Sequence, residues 1–396
     1  MRFAANAGLA AVTPPPIAEA QGWLREMPDD GRPLLDLAQA VPTDPPPAAL
    51  RAHLAEVVQA DGGHVYSEIL GRPGLRQAIA AHMAEHYRGR VEAGQAAVTA
   101  GCNQAFCYAT AAVAGPGDQV ILPVPYYFNH QMWLEMQGIR PVHLPCDMTA
   151  GARPDPARAA ELVGPRTRAI VLVTPNNPTG AVYPPELLRA FFELAQARGL
   201  ALIVDETYKD FLPGDQAPHD LLGRADWPGT LIQLYSFSKT YSLTGHRVGA
   251  MLADPALLAE VAKLADCVQI CPPVLGQAAA DYALAHLGAH RAALRDTMAA
   301  RVADLRAAFA ARPDAGYELV SAGAYFAYLR HPFADRDART VARDLVRRHK
   351  VLALPGEMFG PGQEGHLRLA FANLESGAFP ELVERLARSA AERRAA

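Results

Sequence analysis

Lysine is the scarce residue of this chain. Of 37 lysines and arginines in 396 residues, only four are lysine: Lys209, Lys239, Lys263 and Lys350. Where surface cations are arginine by default, a retained lysine marks a position at which arginine would not serve. Cysteine is scarce as well. Cys102, Cys107, Cys146, Cys267 and Cys271 include no CxxC pair, and no His or Cys cluster has metal-ligand spacing. That excludes a zinc framework, and it reads as reduced core thiols of a cytoplasmic protein with no metal. Neither charge is in large excess: a net charge of -4 and a pI near 6.4 give no basic field for nucleic acid or an anionic membrane. No stretch reaches the ~20 uninterrupted apolar residues of a membrane span. The N-terminal "MRFAANAGLAAVTPPP" has a short Ala-rich run closed by prolines, which is not expected to be a secretory leader.

What is present is an ordinary composition, 50% hydrophobic and 20% charged, over a length sufficient for two core-bearing domains. Residues 1–47, with "TPPP" and "DPPP", read as an extended arm joining the smaller domain. Residues 48–284 alternate helical patterns, near 48–60, 72–88, 102–114, 184–198 and 255–270, with the short apolar runs "AAVTA", "QVILP", "RAIVLVT", "ALIVD", "TLIQLYS" and "VGAML". Runs apolar on both faces imply strands covered by helices on both sides, so this stretch predicts an α/β domain with a mostly parallel, doubly wound sheet. Residues 285–396, with "AYFAYLR", "VLALP" and "HLRLAFA" between helices, predict a smaller α+β domain whose terminal "ERLARSAAERRAA" is a solvated helix face.

In such sheets ligands sit beyond the carboxyl ends of the strands, so the residues after each run are the candidates. They are "GCNQA", "TPNNPTG", "DETYKD" and "SFSKTYSLTGHRVG". Gly101 opens a helix whose amides form an anion cradle, although alone this would be a plain helix start. Ser236, Ser238 and Arg247 suit phosphate oxygens, or else form a capped strand end with a surface arginine. Asp205 is a cap or a ligand. About 3 Å from a ring nitrogen, its carboxylate would hold a proton there by up to about 5 kcal/mol, or about four pK units. A guanidinium stays protonated and does not condense with aldehydes, whereas a lysine amine does. An aldehyde bearing a phosphate and a ring nitrogen is pyridoxal 5′-phosphate, and Lys239 is the lysine placed to receive it. Lys209, the rival, sits beside Asp210 and reads as an exposed ion-pair partner.

"YSEILGRPGLR", "TAGCNQA", "PYYF", "TPNNPTG", "DETYKD", "SFSKTYSLTGHRVG", "PGEMFG" and "HLRLAFAN" occur in the order found in fold-type I, class I/II aminotransferases, and the chain resembles that family from residue 33 to about 375. The resemblance implies that Lys239 links to the cofactor and that Asp205 pairs with its ring nitrogen. Asn177 and Tyr208 would bond the ring's phenolic oxygen and Tyr127 would stack on its face. The amides of Cys102 and Asn103, with Ser236, Ser238 and Arg247, would hold the phosphate, joined by Tyr66 from the partner of a homodimer with shared sites. Arg368 would clamp the substrate α-carboxylate, and strand alternation sets it on the opposite face from Leu367 and Leu369.

The implied reaction is a ping-pong exchange of an amino group between an L-amino acid and a 2-oxo acid. The same constellation also serves a C–S β-lyase or another elimination or oxidation enzyme. A DNA-binding regulator would need a module larger than the arm. Two departures bear on the substrate. Ala40 in "LAQAVP" stands where many relatives have glycine, and Asn103 where some aspartate-type relatives have lysine. A neutral or aromatic donor is therefore expected to outrank aspartate, with Trp23, Tyr126 and Phe128 as pocket or core aromatics and Arg25 or Arg72 as the cations left to meet a distal carboxylate.

Overall fold

In the computed structural model, strands form where the chain is apolar on both faces. In chain order they are β1 (Leu35–Asp36), β2 (Ala96–Thr99), β3 (Gln119–Val124), β4 (Arg140–Pro145), β5 (Thr167–Val173), β6 (Ala201–Asp205), β7 (Leu231–Ser236), β8 (Gly249–Leu252), β9 (Glu318–Gly323), β10 (Phe326–Arg330), β11 (Val351–Leu352), β12 (Leu354–Pro355) and β13 (His366–Leu369). The structure describes residues 3–214 and 216–394, and among these the strands make three sheets.

The largest sheet has the order β2-β8-β7-β6-β5-β3-β4, with β8 antiparallel to both of its neighbours and the other pairings parallel. Its strands alternate as the pleat demands. Ile170, Leu172, Leu202 and Val204 face one way, against Leu188, Phe191 and Phe192 of the helix Pro185–Ala197. Val171, Ile203 and Leu234 face the other, against Phe106 and Ala109 of the helix Cys102–Val113 and Leu258 and Val261 of the helix Pro255–Gln269. This is the expected doubly wound α/β arrangement.

Prolines punctuate it. Pro73, Pro156, Pro185 and Pro255 each occupy the first position of a helix, where the fixed φ fits and the missing N–H costs nothing. Asp155 and Asp254 cap two of these helices by accepting from the amides of Ala157 and Ala256. Within residues 48–284, β4 and the helices Phe128–Met136, Pro156–Leu162 and Val274–His286 lack a clear pattern in the sequence. β4 pairs only with β3 and is largely half-exposed, so it shows no continuous apolar run.

The antiparallel sheet β12-β13-β10-β9 carries the smaller core, with the helices Ala338–His349 and Phe379–Arg394 packed on it. The arm is not wholly extended: it contains the helices Ala7–Ala10 and Pro16–Gly22, and β1 pairs in parallel with β11. Ala20, Trp23, Leu35 and Leu37 join the smaller core, so Trp23 is a core residue. The last helix is likewise not simply a solvated face, because Leu382, Val383, Leu386 and Ala390 are buried along one side of it. Ala395 and Ala396, which close the sequence "ERLARSAAERRAA", lie outside the described residues, as do Met1 and Arg2 of the arm. Among the described residues no helix is long and apolar enough to cross a membrane.

Candidate active site

A cavity of about 500 Å³ opens at the carboxyl ends of β5, β6 and β7. Its lining contains Ala40, Cys102, Asn103, Tyr127, Asn177, Asp205, Tyr208, Ser236, Ser238, Lys239, Arg247 and Arg368, which come from seven separate stretches of sequence.

Asp205 ends β6 and is buried at the cavity floor. Its Oδ1 accepts from the Thr207 amide (3.0 Å), the Thr207 hydroxyl (2.7 Å) and the Cys102 thiol (3.4 Å), while Oδ2 faces His130 Nε2 at 3.4 Å. Burial alone would push this carboxyl up; His130 and Thr207 outweigh it, so Asp205 stays below its ordinary value and ionised. His130 is also stacked on Phe106, with ring centroids 3.8 Å apart. Neither His130 nor Thr207 came out of the sequence reading. Thr207 carried a signal, since an Asp followed two residues later by a threonine forms an Asx-type turn. His130 carried only its position three residues after Tyr127.

Lys239 follows β7 and lines the same cavity. Its Nζ donates to the Ala40 carbonyl at 2.7 Å, and its pKa is lowered from 10.5 to about 8 by burial first and then by Arg247 and Arg368. No carboxylate pairs with it among the described residues, which leaves the amine available as a nucleophile. Lys209 is different. It is not exposed, as its place beside Asp210 suggested, but 1% accessible, with Nζ 2.8 Å from Asp210 Oδ1. Tyr235 and Thr240 donate to the other Asp210 oxygen, and these contacts pull the pair inward behind β7.

At one end of the cavity Gly101 has φ +84°, and a Cβ there would overlap the Arg247 guanidinium. The helix Cys102–Val113 starts directly after it with no side-chain cap, so its first amides, Arg247, Ser236 and Ser238 share one corner. A Cβ on Gly249 would meet the Gly101 carbonyl carbon and the Cys102 amide, so β8 passes close beneath this corner only because it lacks one.

At the other end Arg368, 2% exposed, rises from β13. Nη1 donates to Asn177 Oδ1 at 3.3 Å, Nη2 donates to the Ala38 carbonyl, and Nε has no hydrogen-bond partner. The guanidinium lies over Phe326 (5.0 Å) and Phe359 (5.1 Å), and burial lowers its pKa to about 10. Among the described residues no carboxylate faces it. A buried cation held by neutral groups is a receptor for an anion. Tyr127 and Tyr208 stand between the two ends, their phenols held protonated by burial.

Tyr66, Arg25 and Arg72, singled out from the sequence, lie outside this cavity, Tyr66 as a residue expected to serve the partner's site. Tyr66 is 75% exposed and lies with His64, Val65, Gln269 and Cys271 in a separate, open surface depression. Arg25 and Arg72 do not line the cavity; Arg72 bonds the Gly62 carbonyl. Phe128 does line it, joined by Ile17, Gln39 and Val41 of the arm and by Phe326, none of which were singled out as contributors from the sequence except Phe128.

The model of aminotransferase class I and II matches residues 32–386. The chain is 34% identical over 375 residues to the arginine–pyruvate transaminase of Pseudomonas aeruginosa, covering 92% of each chain. It is 29% identical to the aromatic aminotransferase ISS1 of Arabidopsis thaliana, covering 86% of each. Among solved structures it superposes on the Thermus thermophilus aspartate aminotransferase with maleate with a TM-score of 0.88 at 27% identity, covering 98% of this chain and 100% of that one. With the family's order of elements present from the arm to the last helix and its model spanning nearly the whole sequence, the chain belongs to the class I and II aminotransferases and is an enzyme of that kind.

Proposed function

We propose that this aminotransferase works with pyridoxal 5′-phosphate and moves an amino group from an amino acid to a 2-oxo acid in a ping-pong cycle. The observation that carries the reading is Lys239: a partly buried amine with a pKa near 8, without a carboxylate partner among the described residues, in a cavity that also holds the Asp205 carboxylate and the Arg368 cation. The cavity suits the cofactor at both of its charged ends. The uncapped helix start at Cys102 and Asn103, with Gly101, Ser236, Ser238 and Arg247, has the donors and the free space for a phosphate. Asp205, held ionised by fixed donors, suits a protonated ring nitrogen, and Asn177 and Tyr208 suit a phenolic oxygen, with Tyr127 against the ring.

Bound there, the cofactor supplies an aldehyde to exchange for an amine and an electron-poor ring that weakens the substrate's Cα–H bond. The residues do the rest. Arg368 offers Nη1 and Nη2 to the substrate α-carboxylate, an interaction stronger than the ones it makes to the Asn177 amide and the Ala38 carbonyl. Lys239 Nζ, whose lowered pKa suits proton exchange near neutral pH, would take the proton from Cα and return it. Asp205, held ionised, would keep the ring nitrogen protonated.

Tyr66 supports a two-fold dimer with shared sites. It is exposed beside Val65 in a depression lined also by Pro272, Pro273 and Val274, and such a patch of apolar residues suits a second copy of the chain, into whose site Tyr66 would reach. The five cysteines are free, which fits a reducing compartment, and we place the enzyme in the cytoplasm. The test is Lys239→Arg. The variant is expected to fold and to lose both the visible absorbance of lysine-linked cofactor and turnover. A borohydride-reducible adduct retained in the variant, or one mapped to Lys209, refutes the assignment.

A further inference from the structure

We infer that the amino donor carries a bulky uncharged side chain, aliphatic or aromatic, read by Ile17 of the arm and Phe128 of the large domain; this rests on the assignment of the cavity proposed above. The charges of the cavity lead there. Arg247, Lys239 and Arg368 are its cations and Asp205 is its carboxylate, among the described lining residues. With Arg247 at the phosphate corner, Lys239 at Cα and Arg368 on the α-carboxylate, no cation of this chain's own described lining is left for a second carboxylate of the donor. Asp205 lies at the floor, its Oδ1 filled by Thr207 and Cys102 and its Oδ2 beside His130, so no carboxylate is left for a guanidinium or ammonium either. A distal charge would shed water and find among this chain's described lining only neutral groups such as the Gln39 amide, the Asn103 side chain and the Thr244 hydroxyl, which makes it a poor guest.

The unassigned wall consists mainly of Ile17, Val41 and Phe128. Phe128 opens the helix Phe128–Met136 and is buried, its ring held by Phe359 at 5.8 Å and Tyr127 at 5.0 Å. Ile17 sits half-buried on the helix Pro16–Gly22, which is anchored through Ala20 in the smaller core. The one charged residue of that helix, Glu19, is bound by Arg339 and so is engaged away from the cavity's cations. An apolar side chain placed between Ile17 and Phe128 takes water off both, the contribution that favours binding at an otherwise wetted apolar wall.

The full-length, cofactor-loaded enzyme is mixed with phenylalanine, leucine, methionine, aspartate or arginine, and single-turnover conversion of the bound cofactor is followed by absorbance. Phenylalanine, leucine and methionine are expected to exceed aspartate and arginine at least tenfold in apparent second-order rate, the scale on which pockets discriminate side chains. Aspartate or arginine fastest, or all five within threefold, overturns the inference. Conversion of none of them counts against the reaction proposed above, and selection is then read by calorimetry with unreactive carboxylates. Tenfold tighter binding of 3-phenylpropanoate than of succinate or 5-guanidinopentanoate supports the apolar pocket, and equal or weaker binding overturns it. Two variants test the named residues. Phe128→Ala is expected to lower the phenylalanine-to-alanine rate ratio at least tenfold, and Ile17→Arg, on a half-exposed position that tolerates a charge, to raise the aspartate-to-phenylalanine ratio at least tenfold. Ratios that stay within threefold of the parent in both variants overturn the assignment.

Discussion

Replacing Lys239 with methionine should make the cofactor-free protein more stable at neutral pH. The side chain lies in a cavity with two arginines, and burial together with Arg247 and Arg368 lowers its pKa from 10.5 to about 8. The unfolded chain therefore holds a proton that the folded chain has released between pH 8 and 10.5, and stability rises with pH across that window. Below pH 8 the full cost of keeping this lysine is present, about 3 kcal/mol at roughly 1.4 kcal/mol per pK unit. Methionine removes the titration and fills similar space, but it also removes the hydrogen bond from Nζ to Ala40, worth about 1 kcal/mol. The expected gain is about 2 kcal/mol at pH 7. At pH 9.5 the folded lysine is already neutral and the remaining cost is about 1 kcal/mol, so the gain should fall to near zero. Urea unfolding of both cofactor-free proteins, followed by tryptophan fluorescence at the two pH values, measures it. A methionine variant less stable than its parent at pH 7, or an advantage that does not shrink by pH 9.5, would refute the electrostatic account of this site. The same lowering has a functional side. At pH 7 roughly one amine in ten is neutral, against roughly one in three thousand for an unperturbed lysine.

Other outcomes can be stated briefly. Asp205→Asn should leave cofactor bound but reduce steady-state turnover by up to three or four decades, the full expression of about 5 kcal/mol at ~3 Å; a variant within threefold of the parent would show that ring protonation is not supplied here. Lys209→Met leaves the Asp210 carboxylate buried beside Tyr235 and Thr240 without its 2.8 Å partner, and should destabilise the fold by about 3–5 kcal/mol in urea titrations, with Lys209→Met/Asp210→Leu recovering much of the loss. Mixing Tyr66→Ala chains with Lys239→Ala chains, each inactive alone, should restore activity through heterodimers with one intact site. Two inactive parents and proven subunit exchange without recovery would show that each chain is self-sufficient.

The sequence by itself determined the sheet and the residues at its ends. β5, β6 and β7 are continuous apolar runs, and a residue that follows such a run must emerge at the carboxyl edge of the sheet, so Asn177, Asp205, Ser236 and Lys239 could be placed before any neighbour was known. The period-2 pattern of β13 placed Arg368 opposite Leu367 and Leu369 for the same reason. β4 escaped because a half-exposed edge strand carries a weak pattern. Only the tertiary structure decided what surrounds those residues. His130 on Asp205, the carbonyls of Ala38 and Ala40 on Arg368 and Lys239, and Ile17 in the cavity wall join positions separated by 75 residues or more in several cases, across an interface between the arm, the large sheet and the smaller core. Lys209 shows the limit most clearly. Beside Asp210 it has the local pattern of a surface pair, yet both are buried, because Tyr235 and Thr240 of a neighbouring strand and its turn supply the donors that make burial tolerable. Periodicity records which face of an element is dry, whereas the charge and solvation of a given side chain depend on partners that only chain packing brings within reach.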